Sequence, residues 1–378
     1  MTVKIQTINK IKKKKLNILV IFFMTIAFFL LFDLLIGNYI YKKILRKNFF
    51  DVDTGMGTTH SVYHHDIKKN YITHSAGWGK KKFSFCSDIH GFRNDCINNN
   101  NSKIFDIGII GDSQTVGFGL SYDEMFSTLI SKKLKNKRIA NLSSSSYSSA
   151  IYYSKINYLI SNGYKFNEII VFVDLSDFHD DFVRYKLDGD KILGKHIIWG
   201  DENYSITEKF LFFLEKRFKV TNYLIVTTDN FLITKGIKEK KIPYWILNNP
   251  RSTITYNYNK KWYLEEENLQ AILDNSLSNM EKLHSLLEKN NIPLSIAVFP
   301  HPATLKFDIA ENLHLKTWKN FCEQRCKTFF NIMTPFFKIK ETIGFRDLYF
   351  QYYIDGDLHF NENGNKIIAE SFLENYKD

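Results

Sequence analysis

Hydrophobic residues fall along this chain in two rhythms. The first is a continuous run, "ILVIFFMTIAFFLLFDLLIG" from Ile18 to Gly37, broken only by Asp33. A helix rises about 1.5 Å per residue, so a run of this length reaches across the roughly 30 Å of bilayer hydrocarbon. The second rhythm alternates short apolar runs with helical spacing. "IFDIGIIG" (104–111), "RIANL" (138–142) and "EIIVFVDL" (168–175) read as strands. Between the first two, "DEMFSTLISKKL" puts Met125, Phe126, Leu129 and Ile130 on one helical face. The pattern resumes with a helix over 268–288, a strand over 294–300, a helix over 310–326, a short strand over 329–333 and a last helix over 366–376. Strands alternating with helices predict a parallel sheet covered by helices.

Two stretches follow neither rhythm. Residues 38–100 carry many Lys, Asn and His and few long apolar runs, and read as a lead-in to a domain over 101–378. Residues 186–265 are rich in Trp, Tyr, Lys and Asn and read as an insertion into that domain. Ligands of open α/β sheets sit outside the carboxyl ends of the strands, so an insertion after the third strand is placed to wall or cap a site. Its Trp199, Tyr244, Trp245 and Trp262 either stack on sugar rings or form a small core of their own.

The formal charge of +11 over 378 residues invites a nucleic-acid reading, but its placement removes it. Residues 1–50 hold ten Lys and Arg against the single acid Asp33, a net +9, which leaves +2 for everything after. No nucleic-acid partner is expected. The apolar run ends in Ile36-Gly37-Asn38-Tyr39 and not in the small residues of a cleavage site, so it is read as an uncleaved anchor over 16–37 behind a basic tail over 1–15. Six lysines precede it and four basic residues follow, which by the positive-inside rule puts the large C-terminal part outside the cytoplasm. Cys86, Cys96, Cys322 and Cys326 either form two disulfides or stay as buried thiols. Their spacing suits no metal site, and no metal or cofactor is expected.

The candidate chemistry begins where the first strand stops, in Gly111-Asp112-Ser113, with Gly117 and Gly119 close behind. A serine at a strand-to-helix turn projects from the carboxyl edge of the sheet, beside backbone N–H groups that stabilise negative charge. Near the other end, "IDGDLHFNENGN" sets His359 two residues after Asp357. A serine nucleophile needs a base, and the base needs an anion to fix its tautomer. Arg93 reads as a structural ion-pair partner, Asp112 as a helix-start residue, and His179 and His301 as loop histidines.

"GDSQTVGFG" and "DLHFNENGN" resemble the first and last blocks of the SGNH, or GDSL, hydrolase superfamily. "HGFRND" (90–95) and "SIAVFPHPATL" (295–305) are similar to stretches of its membrane-anchored, extracytoplasmic members linked to surface polysaccharides. The resemblance covers roughly 85–185 and 266–378. It implies a flavodoxin-like three-layer α/β/α fold with a parallel sheet, an inserted cap and one N-terminal transmembrane helix. It also implies acyl transfer through Ser113 as nucleophile, His359 as base and Asp357 as its acid, with Asp355 as the fallback because Gly356 stands where the family often has the acid. Oxyanion donors fall on Ser146, where the family has glycine, and Ser176, where it has asparagine. The expected function is an esterase or O-acyltransferase acting on acyl, most plausibly acetyl, groups of a surface polysaccharide, with a membrane acyl-donor partner if it transfers. The alternatives are a lipid esterase and a non-catalytic carbohydrate-binding or assembly protein.

Overall fold

The computed structural model describes residues 2–41, 44, 55–78, 81–97, 101–194, 213–214, 217–248, 251 and 266–377. They fall into two compact units, Met1–Asp51 with Ile198–Lys241, and Val52–Ile197 with Ile242–Asp378.

The larger unit is built on a five-stranded sheet, numbered here β1 (Ile104–Gly111), β2 (Ile139–Asn141), β3 (Lys165–Val173), β4 (Leu294–Val298) and β5 (Thr328–Asn331). Every neighbouring pair runs parallel, and the spatial order is β2-β1-β3-β4-β5. This is the flavodoxin-like order, whose switch point lies between β1 and β3. The central strands end in apolar runs because a parallel sheet is covered on both faces, and Ile109, Ile110, Val171, Phe172 and Ile296 are fully buried. The chain steps outward from β1 to β2 and then back past β1 to β3. Right-handed crossovers therefore put the intervening helices, Phe126–Lys133 and Ser149–Ser161, on opposite faces. Glu362–Asn375 packs with the first and Glu266–Lys289 with the second.

Several expectations shift in detail. The helix expected over 310–326 is Leu313–Cys322, started by the Asn312 side chain, which accepts from Leu315 N at 3.0 Å, and a short helix that was not expected, Pro302–Phe307, precedes it. From Gly55 onward the described residues of the lead-in fall in the same compact unit as the sheet. It forms antiparallel hairpins, among them Ile72–Trp78 with Lys81–Cys86, which bury one face only and so show no long apolar run. Phe83, Phe85, Ala76 and Ile67 pack with Val116 and Phe118 of the serine turn. Cys86 pairs with Cys96 and Cys322 with Cys326.

The insertion divides. Tyr185–Asp188 and Lys191–Gly194 form a hairpin of the larger unit, while the described residues of 213–241 fall in the unit of the N-terminal helix. Trp199 and Trp262 lie outside the described residues. Trp245 is about half exposed on the short helix Tyr244–Asn248, beside a fully buried Ile246. The smaller unit holds the helix Thr2–Phe32, a π-helical turn over Asp33–Gly37 and the helix Lys219–Thr234. Asn17–Ile40 is long and apolar enough to cross a membrane.

Candidate active site

The turn after β1 is held by its own sequence. Asp112 caps the four-residue helix Ser113–Val116 by accepting from Gln114 N at 2.9 Å. Gly117 then ends the helix at φ 75°, a left-handed conformation that glycine adopts without a Cβ clash. Ser113 is thereby fixed at the carboxyl edge of the sheet, next to the switch point.

The histidine comes from the loop between Met333–Tyr352 and Glu362–Asn375. His359 Nε2 lies 2.8 Å from Ser113 Oγ, and His359 Nδ1 lies 2.5 Å from Asp357 Oδ1. Asp357 also accepts from His359 N at 3.0 Å. Gly356 occupies a left-handed turn at φ 75°, and it is Asp357 that meets the imidazole. Asp355 stays partly exposed. Burial works to raise the Asp357 carboxyl, but the adjacent His359 and the hydrogen bonds it receives hold it down at about 2. Burial lowers the His359 imidazole, yet Asp357, then Asp112 and Asp174, outweigh it and move the group above its ordinary value.

Two side chains outside the sequence-based set hold this loop. The Gln114 amide donates to Leu358 O at 3.0 Å and accepts from Phe360 N at 3.1 Å, bracketing His359 on both sides. The Trp78 indole stacks on Phe118 and sets Nε1 3.1 Å from His359 Nδ1. Gln114 follows the serine directly, so its neighbourhood was visible in the sequence. Trp78 lies in the hairpin region and carried no local signal.

The expected oxyanion residues are placed differently from each other. Ser146 has φ 54°, in the left-handed region, which accounts physically for a glycine at this position in the family it resembles. His65 Nε2 lies 2.6 Å from Ser145 O, and because a trans peptide sets C=O and N–H antiparallel, this contact also orients the Ser146 N–H. Burial lowers the His65 imidazole to about 4, so the ring is neutral and serves as donor through Nε2. Arg251, from the insertion, donates to Ser146 Oγ at 3.3 Å and pairs with Asp180. Ser176 N donates to Asp174 Oδ1 at 2.8 Å, so that N–H is committed to a carboxylate. The Ser176 side chain is buried at the start of the short helix Ser176–His179.

Beneath the serine lie three buried carboxyls, Asp112, Asp174 and Asp177, with oxygens within 4.8 Å of one another. Like charges this close in a buried site cannot all ionise. Burial and then Asp174 push Asp112 up to about 7, and burial and Asp112 raise Asp177 well above the usual carboxyl range. The remaining expectations change. Arg93 is buried and donates to the backbone carbonyls of Cys86, Ser84 and Leu120 rather than to a carboxylate. His179 is buried at the end of the helix Ser176–His179, and His301, in the loop as expected but buried, caps Pro302–Phe307, its imidazole lowered by burial to about 4.

No known family's sequence pattern matches the chain, and no curated protein does. Among solved structures it is similar to a member of the lipolytic G-D-S-L family from Veillonella parvula DSM 2008, at 11% identity over 71% of this chain and 96% of that one, TM-score 0.38. It is also similar to Axe2, an acetylxylan esterase from Geobacillus stearothermophilus, at 11% over 71% and 92%, TM-score 0.37. A third is the psychrotrophic esterase EstA from Pseudoalteromonas sp., at 10% over 72% and 96%, TM-score 0.33. At these identities and scores the chemistry rests on the geometry above.

Proposed function

We propose that this chain is a membrane-anchored serine esterase or O-acyltransferase of the SGNH type. The observation that carries the reading is the unbroken relay from Ser113 Oγ through His359 to Asp357, with contacts of 2.8 and 2.5 Å. Ser113 attacks an ester carbonyl while His359 Nε2 takes the hydroxyl proton. Asp357 keeps the proton on Nδ1 and stabilises the imidazolium. The oxyanion is received by backbone N–H groups of Ser113 and Ser146, with the Ser176 hydroxyl as a further donor. His359 then protonates the leaving alcohol, and water or a sugar hydroxyl resolves the acyl-serine.

The acyl group is read as acetyl and the carrier as a surface polysaccharide on the family resemblance. The extracytoplasmic placement is supported by two disulfides in the larger unit and by the basic residues ahead of the apolar helix. One span cannot itself carry acyl groups across a bilayer, so transfer requires a membrane donor partner and hydrolysis does not. The test is turnover of a chromogenic acetyl ester by the full chain, with and without an acetyl-accepting oligosaccharide. Acetylated sugar and faster ester loss support transfer. Free acetate at an unchanged rate supports hydrolysis, and no turnover of any ester supports a binding protein.

A further inference from the structure

Asp33 is the one charge in the apolar helix, and it is fully buried. Its partners come from the insertion. Oδ1 accepts from Val220 N at 3.0 Å, and Oδ2 accepts from Thr221 N at 2.7 Å and from the Thr221 hydroxyl at 2.6 Å. Those N–H groups belong to the first turn of Lys219–Thr234, where a helix has unpaired donors and a partial positive charge. That helix has no side-chain cap from its own N-cap residue, Phe218. The room for the carboxylate is made by Gly37, one turn on, where a Cβ would stand 1.7 Å from Asp33 Oδ1. Asp33, Gly37 and the 220–221 amides thus form a built joint.

Beyond the joint, no residue of Lys219–Thr234 is buried, and Leu224, Ile225 and Phe231, which fall within about 120° of one another around the helix, are each about half exposed. Among the described residues nothing covers this apolar face. Sixteen residues make a helix of about 24 Å, too short to span the hydrocarbon. Asp33 lies about 10 Å before the C-terminal end of Asn17–Ile40, about 7 Å inside the hydrocarbon of a centred span and within the roughly 5–10 Å to which interfacial helices sink. The charges suit that depth, with Lys219 at one end, Lys235 at the other and Asp229 paired to Lys238 at 2.7 Å.

We infer that Lys219–Thr234 is an interfacial membrane helix, docked on the anchor through Asp33 and seated with its apolar face against lipid. This rests on reading Asn17–Ile40 as a membrane span. The insertion then holds part of itself in the bilayer boundary, a second attachment besides the anchor.

All native cysteines are paired, so single engineered cysteines in the full chain accept a nitroxide. Ile225→Cys, Phe28→Cys in the anchor and Glu370→Cys on the larger unit are compared in phosphatidylcholine–phosphatidylglycerol vesicles. Labels at 225 and 28 should collide more with oxygen than with a water-soluble nickel chelate, and the label at 370 the reverse. Adding Gly37→Ala, which displaces the carboxylate, should turn the 225 label toward the chelate. A water-accessible 225 label beside a lipid-facing 28 label overturns the inference and leaves the anchor standing. A water-accessible 28 label overturns the anchor reading itself. A 225 label shielded from both reagents means that protein, not lipid, covers the face, and also overturns it.

Discussion

Trp78 Nε1 stands 3.1 Å from His359 Nδ1, across 281 residues of sequence, at the same nitrogen that meets Asp357. With Asp357 ionised, Nδ1 carries the proton, so it has no lone pair for the indole. The Trp78 N–H is then shared with the Asp357 carboxylate, which counts the indole among the hydrogen bonds that hold it down. Trp78→Phe keeps the stack on Phe118 and removes this donor. A hydrogen bond to a charged group contributes about 1.5–3 kcal/mol, so ester turnover should fall about tenfold or more. With its charge less dispersed, Asp357 should raise the His359 imidazole further, and the acid limb of the pH–rate profile should move upward. An unchanged profile would leave Trp78 as packing alone.

Gln114 tests the bracket around His359. Gln114→Glu keeps the acceptor for Phe360 N but loses the donor to Leu358 O, and sets a negative charge against that carbonyl. Gln114→Leu leaves both backbone groups unpaired. Each buried unpaired group costs about 1–3 kcal/mol, so denaturant midpoints should fall in both variants. Turnover should fall more than stability explains, because the loop that aims Nε2 loses one guide in Gln114→Glu and both in Gln114→Leu. Wild-type turnover in a folded Gln114→Leu would contradict the positioning role.

The sheet was legible because its central strands carry apolar runs, over 107–110 and 169–173, and its turn carries Gly-Asp-Ser. The relay was legible because Asp357 and His359 are close in sequence. What stayed hidden had physical reasons. Ser149–Ser161 begins in serines and buries Lys155 against Asp66 at 2.7 Å, so its periodicity is masked. Met333–Tyr352 is interrupted by Gly344 at φ 80°. Trp78 and His65 reach the site from hairpins whose short, half-polar strands look like a linker, and Arg251 reaches it from the insertion. Such long-range contacts leave no local pattern.

Ser146 carries a left-handed strain that a glycine would not. Ser146→Gly should raise stability by up to about 1 kcal/mol, less the lost contact to Arg251, and should keep turnover because the backbone N–H remains. Ser146→Val adds β-branching at φ 54° and should destabilise the fold by more than the glycine change stabilises it. Chemical denaturation and ester turnover of both variants check this. Loss of activity in Ser146→Gly with stability intact would assign the hydroxyl, not the N–H, to the chemistry.

The rate should also report the charge around His359. Its imidazole lies above the ordinary value, so the neutral base is depleted as pH falls, and kcat/KM should drop on the acid side with an apparent pKa above 6.5. Asp112, at about 7, titrates in the same range and should broaden that limb. Asp357→Asn removes the leading source of the upward shift, so the limb should move to lower pH while the maximum rate falls steeply. A limb that stays in place would mean that another group governs it.

The most direct test of the account is covalent capture of the nucleophile. The full chain, solubilised in detergent, is treated with a serine-directed fluorophosphonate, and the adduct is located by peptide mass. The account predicts one adduct, on Ser113, absent from Ser113→Ala and formed about a hundredfold or more slowly in His359→Ala. Equal labelling of wild type and Ser113→Ala would contradict it, leaving the serine as part of a helix turn and the His359–Asp357 pair without a nucleophile.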